Sequence, residues 1–136
     1  MKVFKFGGAS VKNAEAVRNV AQILKGYDNN LIVVISAMGK TTNLMEKLVR
    51  AYFDKDIEKV SIFEECKTYH LQICEDLFGP GKTPKTVLAL FSELENKLQK
   101  SPSLDFNFEY DQVVSFGEMA STKIVSEYLN TIGLQN

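Results

Sequence analysis

The sequence predicts an α/β fold: a βαβ unit that starts a parallel sheet with helices on both faces, followed by a helix-rich second half. Three observations predict it. Two short runs of β-branched or aromatic residues, Val3 to Phe6 and Leu31 to Ile35, flank a segment of helical periodicity between Asn13 and Lys25. The second run is apolar at every position, as in strands covered on both sides. Beyond it, apolar residues recur at helical spacing almost to the last residue.

The first strand, Val3 to Phe6, ends at Gly7-Gly8. Asn13 is a plausible N-cap for the helix that follows, with Glu15 in its first turn and Val17, Val20, Ala21 and Leu24 on its apolar stripe. Leu31-Ile32-Val33-Val34-Ile35 is the second strand, and the crossover is expected to be right-handed. After Ser36 to Thr41 the pattern turns helical. Thr42 or Asn43 can cap a helix reaching Phe53, with Glu46 placed for a capping box against Asn43. A longer helix is expected from Asp56 to Phe78. Gly79 to Pro84 breaks the chain, and Pro84 suits the first turn of a helix through Lys100. Ser101-Pro102-Ser103 breaks it again. A last helix runs from about Tyr110 to Ile132 and ends at Gly133. A third strand is expected after such a helix, but only Leu134-Gln135-Asn136 remain. Two strands make a poor sheet, so part of the apolar surface is expected to lack a partner and to favour a homo-oligomer.

At 136 residues the chain suits one domain, and its 45% apolar and 24% charged residues are ordinary for a globular protein. Sixteen basic and seventeen acidic residues leave a net charge of −1, which gives no long-range attraction for nucleic acid or an anionic membrane. Neither is expected as a partner. No apolar run is long enough to cross a bilayer, and Met1 to Lys5 does not read as a signal peptide. Cys66 and Cys74 lie within one helical segment with neither CxxC nor zinc spacing. Free thiols in a reducing cytoplasm, and no metal site, are the expectation.

Three segments could carry chemistry. In Lys5-Phe6-Gly7-Gly8-Ala9-Ser10 the glycines let backbone approach a ligand, turn amides can cradle an anion, and Lys5 can meet a phosphoryl group. A tight turn beside a solvent-reaching lysine is the plain alternative. Gly39-Lys40-Thr41 and Gly81-Lys82-Thr83 only mimic the end of a P-loop, because its first glycine would fall on Val34 or Asp76. Ser36 to Asn43 follows a strand and opens a helix, the crevice position where open α/β sheets bind ligands, and offers the Ser36 and Thr42 hydroxyls. There, too, Thr42 or Asn43 as a mere cap is an alternative. In Ser115 to Ser121, Glu118 stands among apolar neighbours and could bind an ammonium group, although Ser115 and Glu118 also fit a capping box. His70 reads as packing or surface, and Glu93 to Lys100 as a solvated helix face.

Taken together, the segments resemble the aspartokinase branch of the amino-acid kinase family. Lys5 to Val11 matches its Lys-Phe-Gly-Gly-Thr/Ser-Ser-Val motif. Ser36-Ala37 with Thr42-Asn43-Leu44 matches a second, and Gly117-Glu118 with Ser121 a third. Ala9 departs from the family's hydroxyl residue, which implies tuning of the phosphate turn rather than its loss. Acetylglutamate and glutamate 5-kinases often place a His-Gly-Gly-type turn where this chain has Ser36-Ala37-Met38-Gly39, which favours the aspartokinase branch.

The resemblance implies the N-terminal part of an amino-acid kinase fold and transfer of the γ-phosphoryl group of MgATP to the β-carboxylate of L-aspartate. It assigns Lys5 as catalytic and Lys5, Phe6, Gly7, Gly8 and Ser10 to the ATP phosphates. Ser36, Thr42 and Glu118 go to the aspartate, with Glu118 on its α-ammonium group. The family's nucleotide pocket and ACT regulatory domains lie outside these 136 residues, so ATP and Mg2+ are expected to be bound mainly elsewhere and the isolated chain to be inactive. A catalytically silent assembly module with a kinase-like face is the other expectation.

Overall fold

The computed structural model describes residues 1–27 and 30–136. Strands β1 (Lys2–Phe6) and β2 (Leu31–Ile35) pair in parallel, from Lys2 opposite Leu31 to Phe6 opposite Ile35. A 3-10 turn (Gly8–Val11) and helix α1 (Ala14–Lys25) make the crossover. Asn13 caps α1 as expected, its side chain accepting from the Ala16 amide at 2.8 Å. The helices α2 (Thr41–Phe53), α3 (Glu58–Phe78), α4 (Lys85–Gln99) and α5 (Phe106–Thr131) complete the described elements.

Strand alternation sorts the sheet residues. Phe4, Phe6, Leu31 and Val33 pack against the core and Ile35 is buried, whereas Val3, Lys5, Ile32 and Val34 are exposed. The all-apolar β2 is thus half open, leaving apolar surface without a partner among the described residues. The core itself is mainly helical. α5 lies at its centre, packed most extensively on α2, and buries Val113, Phe116, Ala120, Ile124, Val125 and Leu129. Phe91 of α4 fills the middle, its ring 5.0 Å from Phe116, 5.5 Å from His70 and 6.4 Å from Phe63. Truncating such a residue to alanine costs about 3–5 kcal/mol.

Several local expectations give way to tertiary bonds. α2 starts at Thr41, so Thr42 and Asn43 lie inside its first turn rather than at its cap. Glu46 forms no capping box; it accepts from the Tyr110 hydroxyl at 2.7 Å. Pro84 sits at the N-cap of α4, one residue before its first turn. α5 begins at Phe106, earlier than its pattern suggested, because the Asp105 carboxylate accepts from the Phe108 amide at 3.2 Å. Ser115 and Glu118 are therefore in mid-helix, which removes the capping-box explanation of Glu118. Lys97 does not belong to a solvated face. It pairs with buried Glu109 at 2.7 Å, while the other Glu109 oxygen accepts from the Ser103 amide at 2.9 Å. This pair ties the α4–α5 connection to both helices.

Candidate functional site

The chemistry-bearing segments meet through backbone contacts. The Ser36 amide donates to the Phe6 carbonyl at 3.0 Å, extending the strand pairing past the end of β1. The Gly39 amide then donates to the Gly8 carbonyl, also at 3.0 Å. Gly8 must be glycine for this approach: a Cβ there would stand 2.8 Å from the carbonyl oxygens of both Ala37 and Gly39. Gly7 differs, because a Cβ on it would meet nothing within 4 Å. The diglycine bend thus has one residue pressed on the second loop and one facing open space.

The second loop is fixed from below by α5. A Cβ on Gly117 would lie 3.1 Å from Thr41 Cγ2 and 3.2 Å from Ala37 Cβ, so α5 touches the loop at its smallest residue. One helical turn later, the Ser121 hydroxyl donates to the Ser36 carbonyl at 2.5 Å. Thr41, fully buried, turns its own hydroxyl back to the Met38 carbonyl at 2.6 Å. Two buried hydroxyls therefore hold both ends of the loop. Bonds of this kind contribute about 1 kcal/mol each, and more is lost when a buried carbonyl is left unpaired.

Around this frame the predicted site residues fall as follows. Lys5 is exposed near the end of β1, opposite Val34 in the parallel register. Val34 in turn lines a groove of about 600 Å3 with Ile35, Ser115, Glu118, Met119 and Lys123. Lys5 is not among the residues that line this groove. Glu118 is exposed, Ser36 half-buried, and Thr42 exposed in the first turn of α2. Phe6 serves the core with its ring and the site only through its carbonyl. Ser10 is exposed, and its amide closes the bend by donating to the Gly7 carbonyl at 2.9 Å. The backbone contacts join the diglycine bend to the loop after Ser36, and Gly117, the neighbour of Glu118, meets that loop at Ala37 and Thr41.

One participant carried no sequence signal. Tyr69 of α3 donates its hydroxyl to the Lys12 carbonyl, beyond the 3-10 turn. Burial, and then the nearby Cys66, push its phenol above the usual range, so it stays a donor at physiological pH. Next to it, His70 is fully buried and its Nδ1–H donates to the Cys66 carbonyl at 2.8 Å. Burial lowers the His70 imidazole, outweighing that hydrogen bond. Cys66 and Cys74 are free and buried, and burial pushes each thiol up to about 12. Thiols of that kind are inert.

The profile of the amino acid kinase family matches residues 1–136, the whole length of the chain. The chain belongs to the amino acid kinase family. Among curated members it is similar to aspartokinase 1, chloroplastic, of Arabidopsis thaliana, with 37% identity over 145 residues covering 98% of this chain and 24% of that protein. Among solved structures it resembles aspartokinase III of Escherichia coli in complex with lysine and aspartate, at a TM-score of 0.83 and 26% identity. That match covers 99% of this chain and 30% of the other. The same enzyme in complex with aspartate and ADP gives a TM-score of 0.79 and 27% identity, covering 96% and 29%. The family chain described here thus spans about a quarter of the length of the curated relative, 24%. It corresponds in fold to the N-terminal part of an aspartokinase kinase domain. None of the helices is long and apolar enough to cross a membrane among the described residues.

Proposed function

We propose that the protein carrying this chain is an aspartate kinase. It moves the γ-phosphoryl group of ATP to the β-carboxylate of L-aspartate, yielding 4-phospho-L-aspartate and ADP, a product that serves lysine, threonine and methionine synthesis. The observation that carries the reading is the meeting of three segments: Gly8 seated on Ala37 and Gly39, and that loop seated on Gly117 and Ser121. In this reading the Lys5 cation, the open backbone at Gly7, the Ser36 and Thr42 hydroxyls and the Glu118 carboxylate share one end of the sheet. A solved relative whose complex contains aspartate and ADP supports the same substrates.

In this reading a β-carboxylate oxygen attacks the γ-phosphorus, the bond to the β–γ bridging oxygen breaks, and ADP leaves with that electron pair. No covalent enzyme intermediate is required, so catalysis is positioning and charge stabilisation. Lys5 offsets charge on the transferring phosphoryl group, with Gly7 and Gly8 giving it a close backbone. Glu118 takes the α-ammonium group of aspartate, and Ser36 and Thr42 hold its carboxylates. Among the described residues no group of three His, Cys, Asp or Glu side chains could hold a metal ion. In this reading Mg2+ would screen the phosphate charges and would be held mainly by the nucleotide and by parts of the protein outside these residues. The isolated chain is assigned no turnover. A reducing compartment, for which we take the cytoplasm, suits the free buried thiols, and a homo-oligomer suits the exposed Val3, Ile32 and Val34.

The test is ADP release by the full-length protein, with and without aspartate, and the Lys5→Ala variant beside it. Lys5 is exposed, so its removal should leave stability unchanged and lower kcat by about 100-fold or more. A full-length protein that binds its partners normally but turns over no aspartate, or a Lys5→Ala variant with full kcat, would overturn the proposal.

A further inference from the structure

Most of α3 lies away from the site, yet it sends one side chain to it. We propose that Tyr69 is a positioning residue that clamps the diglycine bend to the second loop, holding the phosphoryl side and the aspartate side of the site in fixed relation. The inference rests on the reading of the site given above.

Three observations carry it. The Tyr69 hydroxyl donates to the Lys12 carbonyl, which leaves the 3-10 turn that starts at Gly8. The same hydroxyl lies directly over Gly39: a Cβ at that position would stand 2.6 Å from it and 3.8 Å from the Lys12 Cβ. Gly39 has φ +54°, and its amide donates to the Gly8 carbonyl at 3.0 Å. One phenol thus covers the point where the Gly39 amide meets the Gly8 carbonyl. The ring packs edge-on against buried His70 at 5.2 Å, and His70 is anchored to the Cys66 carbonyl. Two turns reading opposite ends of one phosphoryl transfer gain most from such a tie, because small misplacements of reacting groups cost rate steeply.

Tyr69→Phe in the full-length protein removes only the hydroxyl. Amide hydrogen exchange should become about two- to tenfold faster at Gly39 and in residues 7–12, as expected for one lost hydrogen bond. Exchange in α4 should not change. kcat/KM for aspartate should fall by about the same factor at a temperature well below unfolding. A second pair of variants separates a clamp from general packing. Gly39→Ala collides with the hydroxyl, and its backbone strain is the same in both backgrounds, so Tyr69→Phe should recover part of its loss.

Unchanged exchange in residues 7–12 and at Gly39, or strictly additive effects of the two substitutions, would overturn the clamp. If the wild-type protein shows no aspartate-dependent ADP release, the proposed reaction fails while exchange still decides the clamp. If it turns over and Tyr69→Phe matches it in kcat/KM, the positioning role fails while the reaction stands.

Discussion

Gly7 and Gly8 are adjacent and chemically identical, yet the fold predicts opposite responses to the same substitution. In Gly8→Ala the added methyl would meet two carbonyl oxygens at 2.8 Å, both backbone, so neither can swing away. Overpacking of this kind costs about 1–3 kcal/mol. Opening the bend also weakens the Gly39 to Gly8 hydrogen bond, about 1 kcal/mol. The stiffer unfolded chain returns about 0.4–1 kcal/mol. The net loss is about 2 kcal/mol. In Gly7→Ala the methyl meets nothing within 4 Å, and φ of −75° suits alanine, so stability should be unchanged or up to about 1 kcal/mol higher. Urea unfolding of the full-length protein, followed through the transition of this domain, should place the Gly8→Ala midpoint about 1 M below that of Gly7→Ala. Kinetics should rank them differently. Gly7→Ala narrows the open space assigned to the phosphoryl group and should lose about tenfold or more in kcat/KM despite its stability. Equal midpoints for the two variants would refute the claim that the bend is pressed on the second loop.

Other substitutions probe the frame and its charges. Ser121→Ala leaves the Ser36 carbonyl without its 2.5 Å donor; stability should drop about 1–3 kcal/mol and KM for aspartate should rise, both measured on the full-length protein. For His70 the sign follows from an imidazole lowered by burial from its ordinary 6.5. The unfolded chain binds the proton first, so the His70 contribution is constant above about pH 6.5 and stability falls below it, by at most about 1.4 kcal/mol per pH unit. Urea midpoints of His70→Leu should be flat across that window where the wild-type slopes. Glu109 behaves in a lower window. Burial alone would raise its carboxyl, but hydrogen bonds from Lys97 and Ser103 and the Lys97 charge outweigh that and hold it below its ordinary 4.5. Its contribution is present above about pH 4.5 and is lost as pH falls through the lower folded value. Glu109→Gln should remove that acid-dependent part and cost about 1–3 kcal/mol at neutral pH, read from unfolding midpoints.

The sequence by itself determined what depends on near neighbours. The two strands, the Asn13 cap and the breaks at Gly79 to Pro84 and Ser101 to Ser103 follow from β-branching, a side chain reaching three residues ahead, and proline geometry. Each involves residues that are close whatever the rest of the chain does. The candidate site was legible in the same way, as short motifs read one at a time and then joined by resemblance. What chain order could not show is how they touch. Glu46 looked like a local cap and instead bonds Tyr110, 64 residues on; Lys97 looked solvated and instead reaches buried Glu109. Tyr69 looked like one more residue of an amphipathic helix, and its bond to Lys12 spans 57 residues. Such contacts form only when packing of α2, α3 and α5 brings distant backbone within 3 Å, and their energy depends on that distance, not on spacing along the chain. Tertiary structure alone decided that Gly8 is pressed and Gly7 open, and that a single tyrosine lies across the joint between two loops.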